Sequence, residues 1–575
     1  MSSYDRFPRI RVKTDEKVIR GYGDILPVLS EEIRSGKRRI AVETYPGVRD
    51  SELRKQFEKL DTELFLDMKD IFLTENEMTA KMEPWLTDDR VFGKMFFGNV
   101  EDFFDPAQFD YAVHLIENTQ GAVLVYGFGA SLLFEPDLLV YCDMARWEIQ
   151  LRYRAGMGNY NCSNFDEDIL RKYKRGFFVE WRMADRHKVR VYDAIDYLID
   201  TNRANDPKMI TGAMFKAGLE TAAHVPFRLV PYFDPGVWGG QWMKEHCNLD
   251  PEAVNYAWSF DGVPEENSLL LGFENAEVEI PAMDLTLFQP RALLGEKNYA
   301  RFGAEFPIRF DFLDTMEGQN LSLQVHPLTE YIRSNFGMAY TQDESYYMLD
   351  AKEDACVYLG VKNGTRKEDM LDALRTAQES GVFDAEAYVN RFPAKKHDHF
   401  LIPAGTIHCS GKNSMVLEIS ATPYIFTFKL WDWGRLGLDG KPRPINIEHG
   451  SKVIQWNRNT DWAKENIVNR FEVLADKEDY KEEKTGLHAL EFIETRRYTI
   501  KKELNLELYD SFSMCNLVEG ERIRIESPDE SFEPYEVHYA ETFILPAALE
   551  RVRIVPMDEN VMVLRAYVRG SFAEG

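Results

Sequence analysis

Gln324 and His326 in LSLQVHP, Glu344 in TQDESYYML and His408 in FLIPAGTIHCSG are the residues whose types and spacing point to chemistry. A carboxylate, two imidazoles and an amide oxygen make a borderline-hard ligand set. Among common metals it suits Zn²⁺, one ion per chain, with room left for water or substrate oxygens. Gln324 and His326 stand two residues apart, so a β-strand turns both side chains to one face. Glu344 opens a second strand-like run, SYYMLDA. His408 follows PAGT, where proline and glycine set a tight corner. Two strands and a turn can therefore aim four ligands into one β-barrel interior. Taken singly, each of the 11 histidines is more often a satisfied polar residue than a ligand. It is their joint occurrence in strand contexts that points to a metal.

The elements that must position these ligands change character along the chain. Residues 1–222 alternate strand-like and helix-like segments: KRRIAVETY, DSELRKQFEKL, TELFLDM, GAVLVYGFGA, DLLVYCDM and ARWEIQLRYRAG. Such apolar runs suit strands buried on both faces of a parallel sheet, which predicts an α/β three-layer domain. From about 225 the texture turns to short strands, aromatics and turn residues, so 223–455 is expected to be an all-β metal-binding domain. One helical insert interrupts it at 365–381, capped by Thr365 and stopped by Gly381. Residues 456–575 predict a second, smaller β-barrel. It contains His538 but no further ligand at metal spacing, and is expected to be metal-free.

Composition narrows the partners. There are 96 acidic and 69 basic side chains, a net charge of −27. That field opposes nucleic acid and anionic membranes, so neither is an expected partner. Six cysteines form no CxxC pair, which suits a reducing cytoplasm. No apolar h-region opens the sequence and no run of 18 apolar residues occurs, so a soluble, cytoplasmic protein is expected.

At the four ligands the chain resembles the type I phosphomannose isomerases, which are zinc-dependent cupins. RLVPYFDPGVWGGQWM, FPIRFDFLD, LSLQVHP, DESYYMLDA, FLIPAGTIH and KLWDWGRLGLDGKPR follow in that family's order across about 225–575. The resemblance implies a double-stranded β-helix (jelly-roll) fold and zinc ligation by Gln324, His326, Glu344 and His408. It also implies interconversion of mannose 6-phosphate and fructose 6-phosphate. Ser322 and Arg435 match positions that hold phosphate. Lys429 stands where the family has an arginine near the sugar, which keeps the charge but loses the guanidinium fork. Lys429 and Arg435 are accordingly the expected catalytic residues, although either a metal-bound water or a lysine could move the proton. Asp311 and Gln342 replace two lysines near the site and are expected to face the substrate, unless Asp311 pairs with Arg309 or Lys429. Two other readings stay open: an isomerase of a different, unphosphorylated sugar, and a non-catalytic sugar-binding regulator.

The N-terminal segment resembles uridine-kinase-like nucleotide kinases in the order GAVLVYGFGASLL, then DLLVYCDMARWEIQLRYR. A phosphate-cradling loop needs repeated glycines and a Lys-Ser/Thr pair, and ETYPGVRDS (43–51) lacks the set. The expectation is a kinase-like domain without phosphoryl transfer. It would hold a nucleotide, another anion or a sugar, or only support the barrel. Lys172, Lys174, Arg175 and Arg186 are its candidate anion-binding residues.

Overall fold

The computed structural model describes residues 2–421, 426–437, 440, 443, 445–486 and 488–570. It comprises two compact units, Arg9–Ala222 with Ser268–Gln289, and Met1–Pro8 with Ala223–Asn267 and Pro290–Gly575. The middle domain expected at 223–455 therefore contains a segment, 268–289, that packs with the N-terminal unit.

In the N-terminal unit five parallel strands form the layer between helices. They are β1 (Arg39–Thr44), β2 (Leu64–Asp67), β3 (Val123–Tyr126), β4 (Leu138–Asp143) and β5 (Tyr197–Asp200). β1, β3 and β4 are apolar runs with nearly every residue buried, as parallel strands covered on both faces require. The spatial order is β5-β4-β1-β3-β2, extended beyond β5 by the antiparallel strand β6 (Lys208–Thr211). Strand order thus reverses at β1, which lies between β3 and β4.

The 268–289 excursion completes this unit. The hairpin Ser268–Gly272 and Glu277–Pro281 pairs with Arg9–Arg11, and the helix Ala282–Phe288 brings Asp284 to Lys188. The Lys188 ammonium is ion-paired to both Asp143 and Asp284, with all three side chains essentially inaccessible. Burial, together with Asp143, pushes the Asp284 carboxyl well up, against the pull of Lys188. One ammonium thus faces two carboxyl groups away from water.

The second unit stacks two β-sandwiches. In the first, a six-stranded sheet runs His399–Ile402, β9 (Glu344–Ala351), β11 (Ser414–Ser420), β7 (Arg309–Asp314), Trp258–Gly262, Tyr232–Asp234. A five-stranded sheet runs Val389–Pro393, Cys356–Val361, β10 (His408–Ser410), β8 (Leu323–Val325), β12 (Phe428–Trp431). The Trp-Gly-Gly motif is a packing device: a Cβ on Gly240 would lie 2.0 Å from Asp314 Oδ1. The insert helix is Lys367–Ser380, ended by Gly381 at φ 72°. Its N-cap is Arg366 rather than Thr365, whose hydroxyl donates to the Tyr388 carbonyl instead. In the second sandwich, strands of a six- and a four-stranded sheet enclose an apolar core including Leu504, Leu517, Ile525, Phe543 and Val563. His538 lies at its margin, 3.3 Å from Glu541. The N-terminal residues are built into this unit as well. Tyr4 donates to Asp261, the Asp5 amide donates to Glu541 at 2.6 Å, and Arg228 pairs with Glu541 at 2.7 Å.

Removing the ammonium at position 188 leaves two buried carboxyl groups with no cation. Lys188→Met is therefore expected to cost about 3–5 kcal/mol, the range for breaking a buried ion pair from one side. Chemical denaturation read at a probe in the N-terminal unit measures it, and a loss under about 1 kcal/mol would show the triad to be energetically marginal.

Candidate metal centre

The two sheets of the first sandwich each contribute to one buried point. β8 and β10 pair so that Gln324 lies directly opposite His408, and opposed residues of an antiparallel pair share a face. His326 lies just beyond β8, two residues from Gln324 and so on the same face. β9 supplies Glu344 from the other sheet. Glu344 Oε2 is 3.0 Å from His326 Nε2 and Oε1 is 2.8 Å from His408 Nε2, with all three side chains at 0–1% exposure. The ligating atoms of His326, Glu344 and His408 lie within 4.8 Å of one another, a group able to hold a metal ion.

The donor set fits such an ion. His326 Nδ1 is 2.8 Å from the Phe426 carbonyl and His408 Nδ1 is 2.9 Å from the Thr406 carbonyl. A carbonyl only accepts, so both Nδ1 atoms carry the proton and both Nε2 lone pairs point at the carboxylate. His326 Nε2 and Glu344 Oε1 have no partner of hydrogen-bond geometry despite complete burial. Electron-rich atoms brought this close require a cation among them. Metal–ligand bonds of about 2.0–2.2 Å also place neighbouring ligand atoms roughly 3–3.5 Å apart. Gln324 Nε2 is 3.2 Å from His408 Nε2, and a half-turn of its amide presents Oε1 at the same place.

Gln342 sits behind this centre rather than in the substrate space expected for it. Its Nε2 donates to Glu344 Oε2 at 2.9 Å and its Oε1 accepts from the Phe426 amide at 2.7 Å. The Phe426 carbonyl in turn accepts from His326. The backbone of one residue, Phe426, therefore steadies a ligand from each sheet, an outer-shell role that orients the inner one.

Asp311 is likewise committed. It accepts from Arg309 at 2.8 Å, while Arg309 Nε donates to Ser420 at 2.8 Å and Nη2 lies 3.5 Å from Glu418. Register explains the cluster: Arg309 faces Ser420 and Asp311 faces Glu418 across β7 and β11, and Glu344 faces Ser420 across β9 and β11. Burial pushes the Asp311 carboxyl up to about 6, against the pull of Arg309. Burial raises Glu418 well above the carboxylate range, with Glu344 and Asp311 adding to it. Burial also opposes ionisation of Glu344, but His326 and His408 in their protonated form outweigh it and hold that carboxyl well below its ordinary value.

Ser322 and Arg435 do meet, on a residue not singled out from the sequence. Asp432 Oδ1 accepts from Ser322 at 2.7 Å and from Arg435 at 2.5 Å, and its Oδ2 is 2.6 Å from Arg443 Nε. Arg435 also donates to the Asn320 carbonyl at 2.7 Å. Lys429 is opposite Gln324 in register, which starts its side chain from the ligand face of the sheet. Trp433 donates to the Leu321 carbonyl at 2.7 Å and Trp431 is buried, so both serve the wall. Residues 438, 439, 441, 442 and 444 in and after the KLWDWGRLGLDGKPR motif lie outside the described residues. Arg309 and Glu418 carry a sequence signal only in retrospect, as charged residues in β-strands at positions that alternate toward the barrel interior, and Asp432 directly follows β12.

In the N-terminal unit the four basic candidates serve the fold. Lys172 donates to the Met157 carbonyl at 3.0 Å and also to that of Phe165, and Lys174 donates to those of Thr87 and Asp89. Arg175 pairs with Glu180 at 2.8 Å, and Arg186 donates to the Phe96 and Gly98 carbonyls. None of the four lines the cleft of this unit formed by Gly47, Asp50, Lys69 and Tyr160.

Comparison with known proteins divides the chain in the same way. Residues 21–224 match the model of a domain of unknown function, DUF8485. The mannose-6-phosphate isomerase ManA of Bacillus subtilis (strain 168) is 28% identical over 236 residues, covering 40% of this chain and 68% of that protein. The mannose-6-phosphate isomerase of Streptococcus mutans serotype c is 26% identical over 220 residues, covering 38% of this chain and 64% of the relative. The crystal structure of mannose 6-phosphate isomerase from Bacillus subtilis matches with a TM-score of 0.48 at 18% identity, covering 59% of this chain and 99% of that one. The chain is thus homologous to mannose-6-phosphate isomerases over about 40% of its length. No helix among the described residues is long and apolar enough to cross a membrane.

Two substitutions separate ligands from their support. His326→Ala or His408→Ala is expected to abolish most bound divalent metal. Gln342→Leu, which removes both amide hydrogen bonds at similar volume, is expected to weaken metal affinity about 10–100-fold while leaving the site intact. Elemental analysis and chelator competition distinguish the two, and full metal content in both alanine variants would remove these histidines from the centre.

Proposed function

We propose that the protein is a zinc-dependent aldose–ketose isomerase that interconverts mannose 6-phosphate and fructose 6-phosphate. The convergence of His326, Glu344 and His408, with two imidazole lone pairs aimed at one carboxylate, is the observation that carries this reading. Homology to mannose-6-phosphate isomerases supports the substrate class. The bound ion would polarise the sugar carbonyl and stabilise charge developing on its oxygen as the proton moves between C1 and C2.

The chain's own residues supply the remaining roles. Gln324, His326, Glu344 and His408 would hold the ion. Lys429, rising from the ligand face opposite Gln324, is the candidate to hold a proton near the reacting carbons, since a lysine beside a cation is readily deprotonated. Ser322, Arg435 and Arg443 gather around Asp432 and are the candidate phosphate-binding groups. Burial of His326, Glu344 and His408 excludes bulk water from the ligand cluster, which strengthens the interactions there.

A second reading rests on a specific observation. Ser322, Arg435 and Arg443 are already engaged by Asp432, and the positions of the two family lysines are occupied by Asp311 and Gln342, both turned to structural partners. That arrangement weakens the demand for a phosphate and favours a free sugar. A coupled assay of the zinc-loaded protein on hexoses and hexose 6-phosphates decides between them. Arg435→Ala is expected to reduce kcat/KM on phosphorylated substrate about 10–150-fold, the equivalent of one charge-assisted hydrogen bond, and to leave free sugars unchanged. Equal losses on both would assign Arg435 to the fold, and no turnover on any sugar would leave a zinc-containing sugar-binding regulator.

A further inference from the structure

The Arg9–Ala222 unit has a cleft of about 1020 Å³ that no role described so far uses. Its walls come from segments following four of the five parallel strands. Gly47–Gln56 follows β1, Lys69 follows β2, Met157–Phe165 lies beyond β4, and Ala204 and Asn205 follow β5. In open parallel sheets, ligands bind outside the carboxyl ends of the strands, where strand order reverses. Here the reversal falls at β1, and the loop after β1 forms one wall.

The charges of that wall are nearly all spent. Lys69 pairs with Asp50 at 2.7 Å. Arg49 and Arg152 both reach Glu148 at 2.9 Å, and Arg152 also donates to the Gly47 and Thr201 carbonyls. The helix beginning at Asp50 carries two carboxylates, Asp50 and Glu52, in its first turn. Carboxylates there occupy the end of the helix that would otherwise attract an anion. Glu52 is itself held by the Tyr22 hydroxyl and the Asn205 amide. A multiply charged phosphate ligand would meet carboxylates at the helix start and cations already paired, with Lys55 alone among the described lining cations left without a carboxylate.

The groups left over are of another kind. Among the described residues, the Ser51 hydroxyl and the Asn161 amide have no hydrogen-bond partner. The Phe165 ring lines the cleft at 55% exposure. Hydroxyl and amide side chains donate and accept in any combination a polyol presents, and an aromatic face packs against the C–H face of a sugar ring. We propose that this cleft binds an uncharged, hydroxyl-rich small molecule, a free saccharide, in preference to a nucleoside triphosphate or a sugar phosphate. The cleft belongs to the Arg9–Ala222 unit, and the proposal does not rest on the isomerase reading.

The test uses the full-length protein carrying His326→Ala and His408→Ala, so that sugar held at the metal centre does not contribute. Equilibrium dialysis is run with free hexoses, hexose disaccharides, glucose 6-phosphate and ATP as probes. At least one neutral saccharide is expected to bind saturably and more tightly than either phosphorylated probe. Phe165→Ala and Asn161→Gly should each weaken it roughly tenfold, about the worth of one hydrogen bond. Phe165 is exposed, and Asn161 has φ 48°, a conformation glycine adopts without strain, so both variants should fold. If the double histidine variant is unstable, the same dialysis on chelator-treated wild type serves. Tighter binding of ATP or glucose 6-phosphate, saccharide binding unmoved by both substitutions, or no binding of any probe would each overturn the proposal.

Discussion

The first sandwich of the barrel unit is organised around a constraint in its interior. One carboxylate, Glu344, faces two imidazole nitrogens whose other nitrogens are pinned as donors by the Phe426 and Thr406 carbonyls. Three electron-rich groups at this distance repel unless a cation joins them. Burying them is costly unless every neighbour is fixed. The pairing of Gln324 with His408, the amide of Gln342 and the peptide of Phe426 all reduce the freedom of these groups to separate.

A second layer of charge lies directly behind the first. Arg309 answers Asp311 and approaches Glu418, and burial raises both carboxyl groups. Together with Glu344, three acidic side chains share one arginine inside a β-sandwich. The N-terminal unit solves a related problem with Lys188 between Asp143 and Asp284. In each case residues distant in sequence supply the balancing charges, so each cluster also records which strands and helices must meet.

Much of this was legible beforehand, because periodicity and turn chemistry are local. The runs IAVET, VLVY and LLVYCD are mostly apolar and form buried parallel strands, and the helix at 367–380 ends at a glycine in the left-handed conformation. The spacing of Gln324 and His326 indicated one strand face, and His408 followed its predicted corner. What the sequence concealed is non-local. Asp311 and Gln342 look substrate-facing when judged by position in a motif, but their partners, Arg309 and Phe426, are set by strand register and loop path. The basic residues at 172–175 look like an anion clamp, yet their ammonium and guanidinium groups satisfy backbone carbonyls and Glu180. The hairpin at 268–289 alternates like any barrel strand pair, so nothing in its pattern announces that it packs with the N-terminal unit.

The interleaving of the two units has a consequence for the order of synthesis. A chain emerging from the ribosome at about 5–20 residues per second usually folds its first domain before the next is complete. Here the N-terminal unit lacks Asp284 and two strands of its small sheet until residue 289 has appeared. The segment 2–8 belongs to the other unit, and its partners Asp261 and Glu541 lie 257 and 536 residues further along the chain. Residues 2–8 thus complete their contacts only after Glu541 has been made. Neither unit can be cut out at a single point in the sequence, and insertion or truncation between 222 and 290 would be felt in both.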